Sequence, residues 1–339
     1  MHTARLFPSI LLSYFSLRND TVNESRLENF PVSFFSMIMG MAGLTIAWQK
    51  AAEILKLPSM IGQFLMPLTM GIFVILLLLY TLKLWRYRQA VTSELHNPIK
   101  LNFFPAISIS MLLLSIVLLP ISQGFAHGLW LFGVSLHFLI TLYVMRVWIH
   151  HEKFEIHHIN PAWFIPVVGN VLVPIAGTQL GYLEISWFFF SIGMVFWIVL
   201  FTIIFYRVLF HQPLPGKLLP TLFILIAPPA VGFLSYTALT GEIDAFARVL
   251  YYIALFLTIL LLTQVSYFVR LQFFLSWWAY SFPLAAITIS TLKMYHVIGS
   301  AGFYYLAWAF LGLISLVVLF LLYRTVKAIR YHRICLPED

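Results

Sequence analysis

The chain has 339 residues, 61% of them hydrophobic and only 9% charged, with a formal net charge of +8 and a mean hydropathy of +0.93. A water-soluble domain carries about 25% charged residues, so this composition excludes soluble enzymes and leaves a polytopic membrane protein. A single cysteine, Cys335, excludes an internal disulfide framework and a cysteine-based zinc site.

About 20 helical residues cross the roughly 30 Å hydrocarbon layer. Charge-free stretches of that length predict ten spans, over 31–55, 58–84, 102–122, 125–149, 161–183, 185–210, 219–240, 245–269, 271–292 and 300–324. Each run is continuously apolar and lacks the alternation of barrel strands, so the predicted fold is all-α. The predicted organisation is an N-terminal tail (1–29), a ten-helix transmembrane domain (30–325) and a C-terminal tail (326–339). Within the first tail, Leu6, Phe7, Ile10, Leu11, Tyr14 and Phe15 fit either a short helix on the membrane surface or a partly disordered segment. The apolar part is too short, and lacks the small-residue cleavage pattern, for a signal peptide.

An even number of spans puts both tails on one side, and 16 of the 20 Lys and Arg residues fall there. Only Lys50, Lys56, Arg248 and Lys293 lie opposite, which predicts cytoplasmic termini in a cell (inner) membrane. The basic residues are dispersed over loops and tails and form no stripe, so nucleic acid is not an expected partner.

Proline segregates to the odd spans. A proline inside a membrane helix removes a backbone hydrogen bond and bends the helix. Pro31, Pro105, Pro166, Pro229 and Pro283 recur at intervals close to one helix pair, which predicts five helical hairpins, with odd helices inside and even helices facing lipid. Small and polar residues follow the same alternation, as with Gly40 and Gly43 in span 1 or Gly232 and Ser235 in span 7. Close packing explains some of these, but the proline segregation points to a lined path. All 12 acids lie in tails, loops or span ends. Cation channels and proton-coupled carriers usually need intramembrane carboxylates, so a neutral path of hydroxyls and opened backbone suggests anion conduction.

Three segments resemble a known family: N-F-P-V-S-F-F-S-M-I-M-G-M-A-G-L-T-I-A-W from Asn29 to Trp48, N-P-A-W-F-I-P-V-V-G-N-V-L-V-P-I-A-G from Asn160 to Gly177, and W-W-A-Y-S-F-P-L from Trp277 to Leu284. They are similar to those of the tellurite-resistance and C4-dicarboxylate transporter family, which includes bacterial TehA-type and plant slow-anion-channel proteins. The likeness covers about residues 29 to 325 and rests on the order and spacing of the segments. It implies a homotrimer with one pore per subunit, formed by five inner helices within five outer ones. It also implies that a phenylalanine on the ninth helix blocks the pore, which here is Phe282, with Pro283 holding the bend. An aromatic ring in a narrow neutral pore excludes hydrated ions, and a rotamer change or helix shift opens it. Candidate lining residues are Ser36, Gly40, Ser108, Gly169, Asn170, Gly232 and Ser235. The short tails depart from the plant members, and a gate controlled by phosphorylation of long tails is not expected.

The segment H-H-E-K-F-E-I-H-H places His150, His151, His157 and His158 beside Glu152 and Glu155. Adjacent histidines project in different directions, so a solvated, at most pH-sensitive loop is expected and a metal site is not. His137, alone in span 4, reads as a hydrogen-bonded packing residue. No phosphate-cradling, metalloprotease or nucleophile-elbow motif occurs, so neither an enzyme nor a cofactor is expected. The expectation is a passive channel for small anions such as chloride or nitrate, set against a carrier or exporter of dicarboxylate, sulfite or tellurite-related oxyanions.

Overall fold

The computed structural model describes residues 26–150 and 154–336, and every regular element within them is helical. In chain order these are α1 (Phe35–Ile54), α2 (Met60–Arg86), the short α3 (Arg88–His96), α4 (Pro105–Leu118), α5 (Gln123–His150), α6 (Phe164–Val168), α7 (Val173–Gly177) and α8 (Leu183–Phe210). There follow α9 (Ala227–Thr240), α10 (Ala245–Leu262), the short α11 (Val265–Val269), α12 (Ser281–Ile298) and α13 (Ala301–Arg330). The last helix runs six residues past the expected end at 324, into the expected tail. The residues quoted for a surface helix, Leu6 to Phe15, lie outside the described residues, as do His151 and Glu152.

Burial separates two classes of helix. The apolar windows of Val32–Ile54, Lys100–Leu118 and Leu219–Thr240 are 83%, 89% and 72% buried. Those of Met60–Arg86, Gln123–His150, Leu183–Phe210, Ala245–Leu262 and Ala301–Arg330 are only 22–39% buried. The outer helices carry large apolar side chains into the open, among them Phe64, Trp85, Phe132, Ile198 and Leu316. A water-soluble protein does not expose apolar surface on this scale, whereas a helix against acyl chains must.

Each inner segment packs against the outer helix that follows it in sequence. The inner segments also touch in a closed circuit: α1 meets α4, α4 meets α7, α7 meets α9, α9 meets α12, and α12 returns to α1. Among the described residues, eight helices are long and apolar enough to cross a membrane. The other two expected spans are the shorter broken segment Pro161–Gly177 and α12, which carries Lys293 and His296 in its last two turns.

All five inner segments open in a 3-10 helix and the described outer helices do not. The opening 3-10 stretches are Val32–Phe34, Lys100–Phe103, Pro161–Trp163, Leu219–Ile226 and Leu275–Tyr280; two others are Ile156–His158, in the loop before the third segment, and Gly169–Leu172, between α6 and α7. The expected bend prolines cluster at these changes of helix type. Pro31 caps the first 3-10 turn, Pro105 is the first residue of α4, and Pro229 and Pro283 are each third in α9 and α12. Only Pro166 sits in the middle of its short helix, α6. A proline in the first turn removes an amide that has no intrahelical partner there, so the α-helix restarts without losing a bond.

A buried ion pair ties the start of this ring to its surround. Lys83 at the end of α2 and Glu94 in α3 look like loop charges in the sequence, yet they lie 2.9 Å apart with side chains 1% and 8% exposed. Lys83 Nζ also donates to the Phe30 carbonyl just before α1, and Tyr80 donates to the second Glu94 oxygen at 2.8 Å. These bonds satisfy both charges, which burial otherwise penalises heavily.

Candidate functional site: a cavity inside the five-segment ring

A cavity of about 830 Å³ lies inside the circuit and takes wall residues from all five inner segments. Each contributes a stripe at helical spacing of three and four: Gly43, Ile46 and Lys50 from α1; Leu113, Ile116 and Pro120 from α4 and its end; Leu172, Ile175 and Gln179 from the third segment; Val231, Leu234 and Ala238 from α9. The α12 stripe is the longest, running through Phe282, Ala286, Ile289, Lys293 and His296. Residues so spaced share one helix face. The second members of the first four stripes are Ile or Leu, and Ala286 and Ile289 follow Phe282 in the fifth, so the middle of the wall is aliphatic.

Phe282, second in α12, is half-buried and stands at the inner end of that stripe. Its ring faces α1 where two glycines allow the backbones to close. A Cβ on Gly43 would lie 2.7 Å from the Ala285 Cβ, and one on Gly40 only 2.0 Å from Ser281 Oγ. Glycine is required at both positions because any side chain would occupy space that α12 already fills.

The other expected lining residues take different places. Gly40 is at the α1–α12 contact. Ser108 is fully buried and bonds to the Pro105 carbonyl and, at 2.9 Å, to His137 Nδ1 on α5. Gly169 faces the same His137, whose ring would lie 2.4 Å from an added Cβ. Asn170 donates to the Val167 carbonyl at 2.7 Å and reaches Thr141 on α5. Gly232 abuts Met194 of α8, and Ser235 donates to the Val171 carbonyl of the neighbouring segment. None of these six is among the cavity's wall residues, and neither is the partly exposed Ser36, which is the second residue of α1.

Other hydroxyls of the inner segments bond within their own helices. Thr45, Ser110, Thr288, Ser290 and Thr291 are all fully buried and each donates to the carbonyl four residues before it. In an apolar interior a hydroxyl must find an acceptor, and the preceding helical turn supplies the nearest one. His137 is buried against the inner ring as a packing residue, with its Nδ1 bonded.

Charge appears only toward the mouth. Lys50 is bound to Glu53 at 2.8 Å, and Lys293 and His296 line the same opening. Glu53 is the only carboxylate among the wall residues. Among the described residues no group of His, Cys, Asp and Glu is arranged to hold a metal ion; of the histidine-rich loop, His157 meets Glu155 at 3.1 Å. In the sequence Lys50 and Lys293 count only as charges on the side opposite the termini. The repeat from Phe282 through 286, 289 and 293 carries the signal that puts Lys293 on the same face.

Comparison with known proteins places the chain among transport proteins of one family. The chain is 30% identical over 320 residues to the S-type anion channel SLAH3 of Arabidopsis thaliana, covering 92% of this chain and 50% of that one. It is 26% identical over 277 residues to the guard cell S-type anion channel SLAC1 of the same plant, covering 79% and 50%. To the tellurite resistance protein TehA homolog of Haemophilus influenzae it is 26% identical over 311 residues, covering 91% and 94%. The chain thus spans about half the length of these plant relatives and nearly all of the bacterial one. Residues 29–326 match the family described as SLAC1, voltage-dependent anion channel, and the chain belongs to that family.

Proposed function

We propose that this chain is a passive transmembrane channel for small anions such as chloride and nitrate, with a pore through the five-segment ring of each subunit and Phe282 as its gate. The observation that carries the reading is a single cavity walled by all five inner segments whose longest stripe begins at the Phe282 ring. A wall of Ile, Leu and Ala offers an ion no tight ligand, and weak binding is what rapid conduction requires. The lone carboxylate at the mouth is bound to a lysine, which disfavours a cation path. The relatives, S-type anion channels among them, support the same class of cargo.

In this reading the ten segments cross the membrane as five hairpins, both termini are cytoplasmic, three subunits assemble, and no turnover chemistry takes place. Ser36 then lies on the cytoplasmic side of Phe282. A second reading, a carrier or exporter of dicarboxylate, sulfite or tellurite-related oxyanions, is favoured by the match to the TehA homolog along nearly its whole length.

Current recording of the wild type and Phe282→Ala in chloride and in nitrate tests the proposal. Larger anion currents are expected in the variant. Unchanged currents in a correctly inserted Phe282→Ala protein would remove the gate, and saturable flux strictly coupled to protons would favour the carrier.

A further inference from the structure

Lys293 is half-buried in α12, three turns beyond Phe282 on the same face, and it lines the cavity. It has no hydrogen bond or ion pair with any described residue. The charges that face it from the packed elements are Lys50 and Glu53 on α1 and His296 on its own helix. Glu53 is held by Lys50 at 2.8 Å, so the one acid of the mouth is already engaged. Lys50 is close enough for its charge to act on Lys293. A cation removed from much of its water, beside aliphatic wall and without a counter-charge, is costly unless an anion or retained water compensates it.

We propose that Lys293 is the specificity-determining anion site of the vestibule: its ammonium holds a small monovalent inorganic anion transiently above the Phe282 constriction and excludes cations from the mouth. The site rests on the channel reading for its role in conduction, but not for its existence. The aliphatic middle of the wall supplies no charge selectivity, since Ile46, Ile116, Ile175 and Ile289 treat either sign alike. Selectivity must come from charge at the opening, where a low-dielectric wall focuses the field of a fixed cation into the water-filled space. Lys293 attracts without trapping, because the neighbouring cation Lys50 is already held by Glu53 and adds no second free charge to the site.

Two measurements on the full chain test this. Purified protein is melted in chloride and in gluconate at constant ionic strength. Chloride is expected to raise the melting temperature of the wild type and of Lys293→Arg, and to lose its effect in Lys293→Gln. Separately, in the Phe282→Ala parent, Lys293→Gln is expected to lower chloride conductance roughly threefold at 0.01 M salt and hardly at all at 1 M. The Debye length shrinks from about 30 Å to about 3 Å between those conditions. The reversal potential should shift toward cation permeability, with Arg restoring the parent behaviour. A wild type whose melting ignores chloride, a Gln variant that keeps the chloride effect, or a conductance loss equal at all salts and not restored by Arg overturns the assignment. If the Phe282→Ala parent carries no anion current, the channel reading falls, and the chloride-dependent melting still decides whether the site exists.

Discussion

The Phe282 ring lies against the backbone of Gly43: a methyl group added there would stand 3.6 Å from Phe282 Cδ2 and 2.7 Å from the Ala285 Cβ. The first distance is ordinary contact and the second is a clash, so α12 cannot keep its position beside any residue but glycine. Gly43→Ala is expected to push the α12 start away from α1 and destabilise the protein by about 1–3 kcal/mol. Melting in detergent measures the loss. Current recording of the same variant checks the linked expectation that moving the Phe282 backbone alters basal conductance.

Gly169 and His137 form a second pair of this kind, between the broken third segment and α5. The imidazole fills the space where a Cβ would be, 2.4 Å away. Gly169→Ala is expected to cost about 1–3 kcal/mol by overpacking. Combined with His137→Ala it should cost less than the sum of the two single changes, because the second substitution vacates the tighter contact and leaves only the flexible end of Ile109, 2.7 Å away, to move aside. A double-mutant cycle by thermal melting reads the difference.

The Lys83–Glu94 pair fastens α2 and α3 to Phe30, ahead of the 3-10 turn that leads into α1. Removing one partner leaves a buried charge without compensation, and Glu94→Ala or Lys83→Ala is expected to lose about 3–5 kcal/mol. Replacing both by apolar residues of similar size, as in Lys83→Met with Glu94→Leu, should recover most of that loss. Equal destabilisation in the single and double variants would contradict the account.

Asp244 precedes α10 and caps it, accepting from the Ala247 amide at 2.9 Å and from the Tyr236 hydroxyl at 2.6 Å. The backbone amide first, and then the Tyr236 hydroxyl, hold its carboxyl below the ordinary value of 3.8. A carboxylate depressed in the folded state contributes stability above its ordinary range, and that contribution disappears as pH falls through the lowered value. Asp244→Ala should therefore melt earlier than the wild type at neutral pH and converge with it in strong acid. Asp244→Asn keeps an acceptor oxygen for the cap and should retain part of the difference at neutral pH.

Much of this architecture is legible in the residues. Continuous apolar runs mark membrane helices because the hydrocarbon layer demands them, and the proline alternation separates the inner segments from the outer ones, as the burial of the windows does. What the periodicity did not convey is where each polar residue points. Ser108, Gly169, Asn170 and Gly232 are small or polar residues on inner segments, yet a helix has several faces, and theirs turn toward α5 or α8.

Composition and hydropathy by themselves determined an all-helical membrane chain with two kinds of helix, since water, lipid and the backbone's need for internal hydrogen bonds permit little else. Only tertiary packing decided that the hydroxyls bond inward to their own helices, that Lys83 and Glu94 neutralise each other out of solvent, and that Lys293 stands free at the mouth of the cavity. Those outcomes depend on which faces of distant segments meet, and a local pattern cannot encode the rotation of one helix against another.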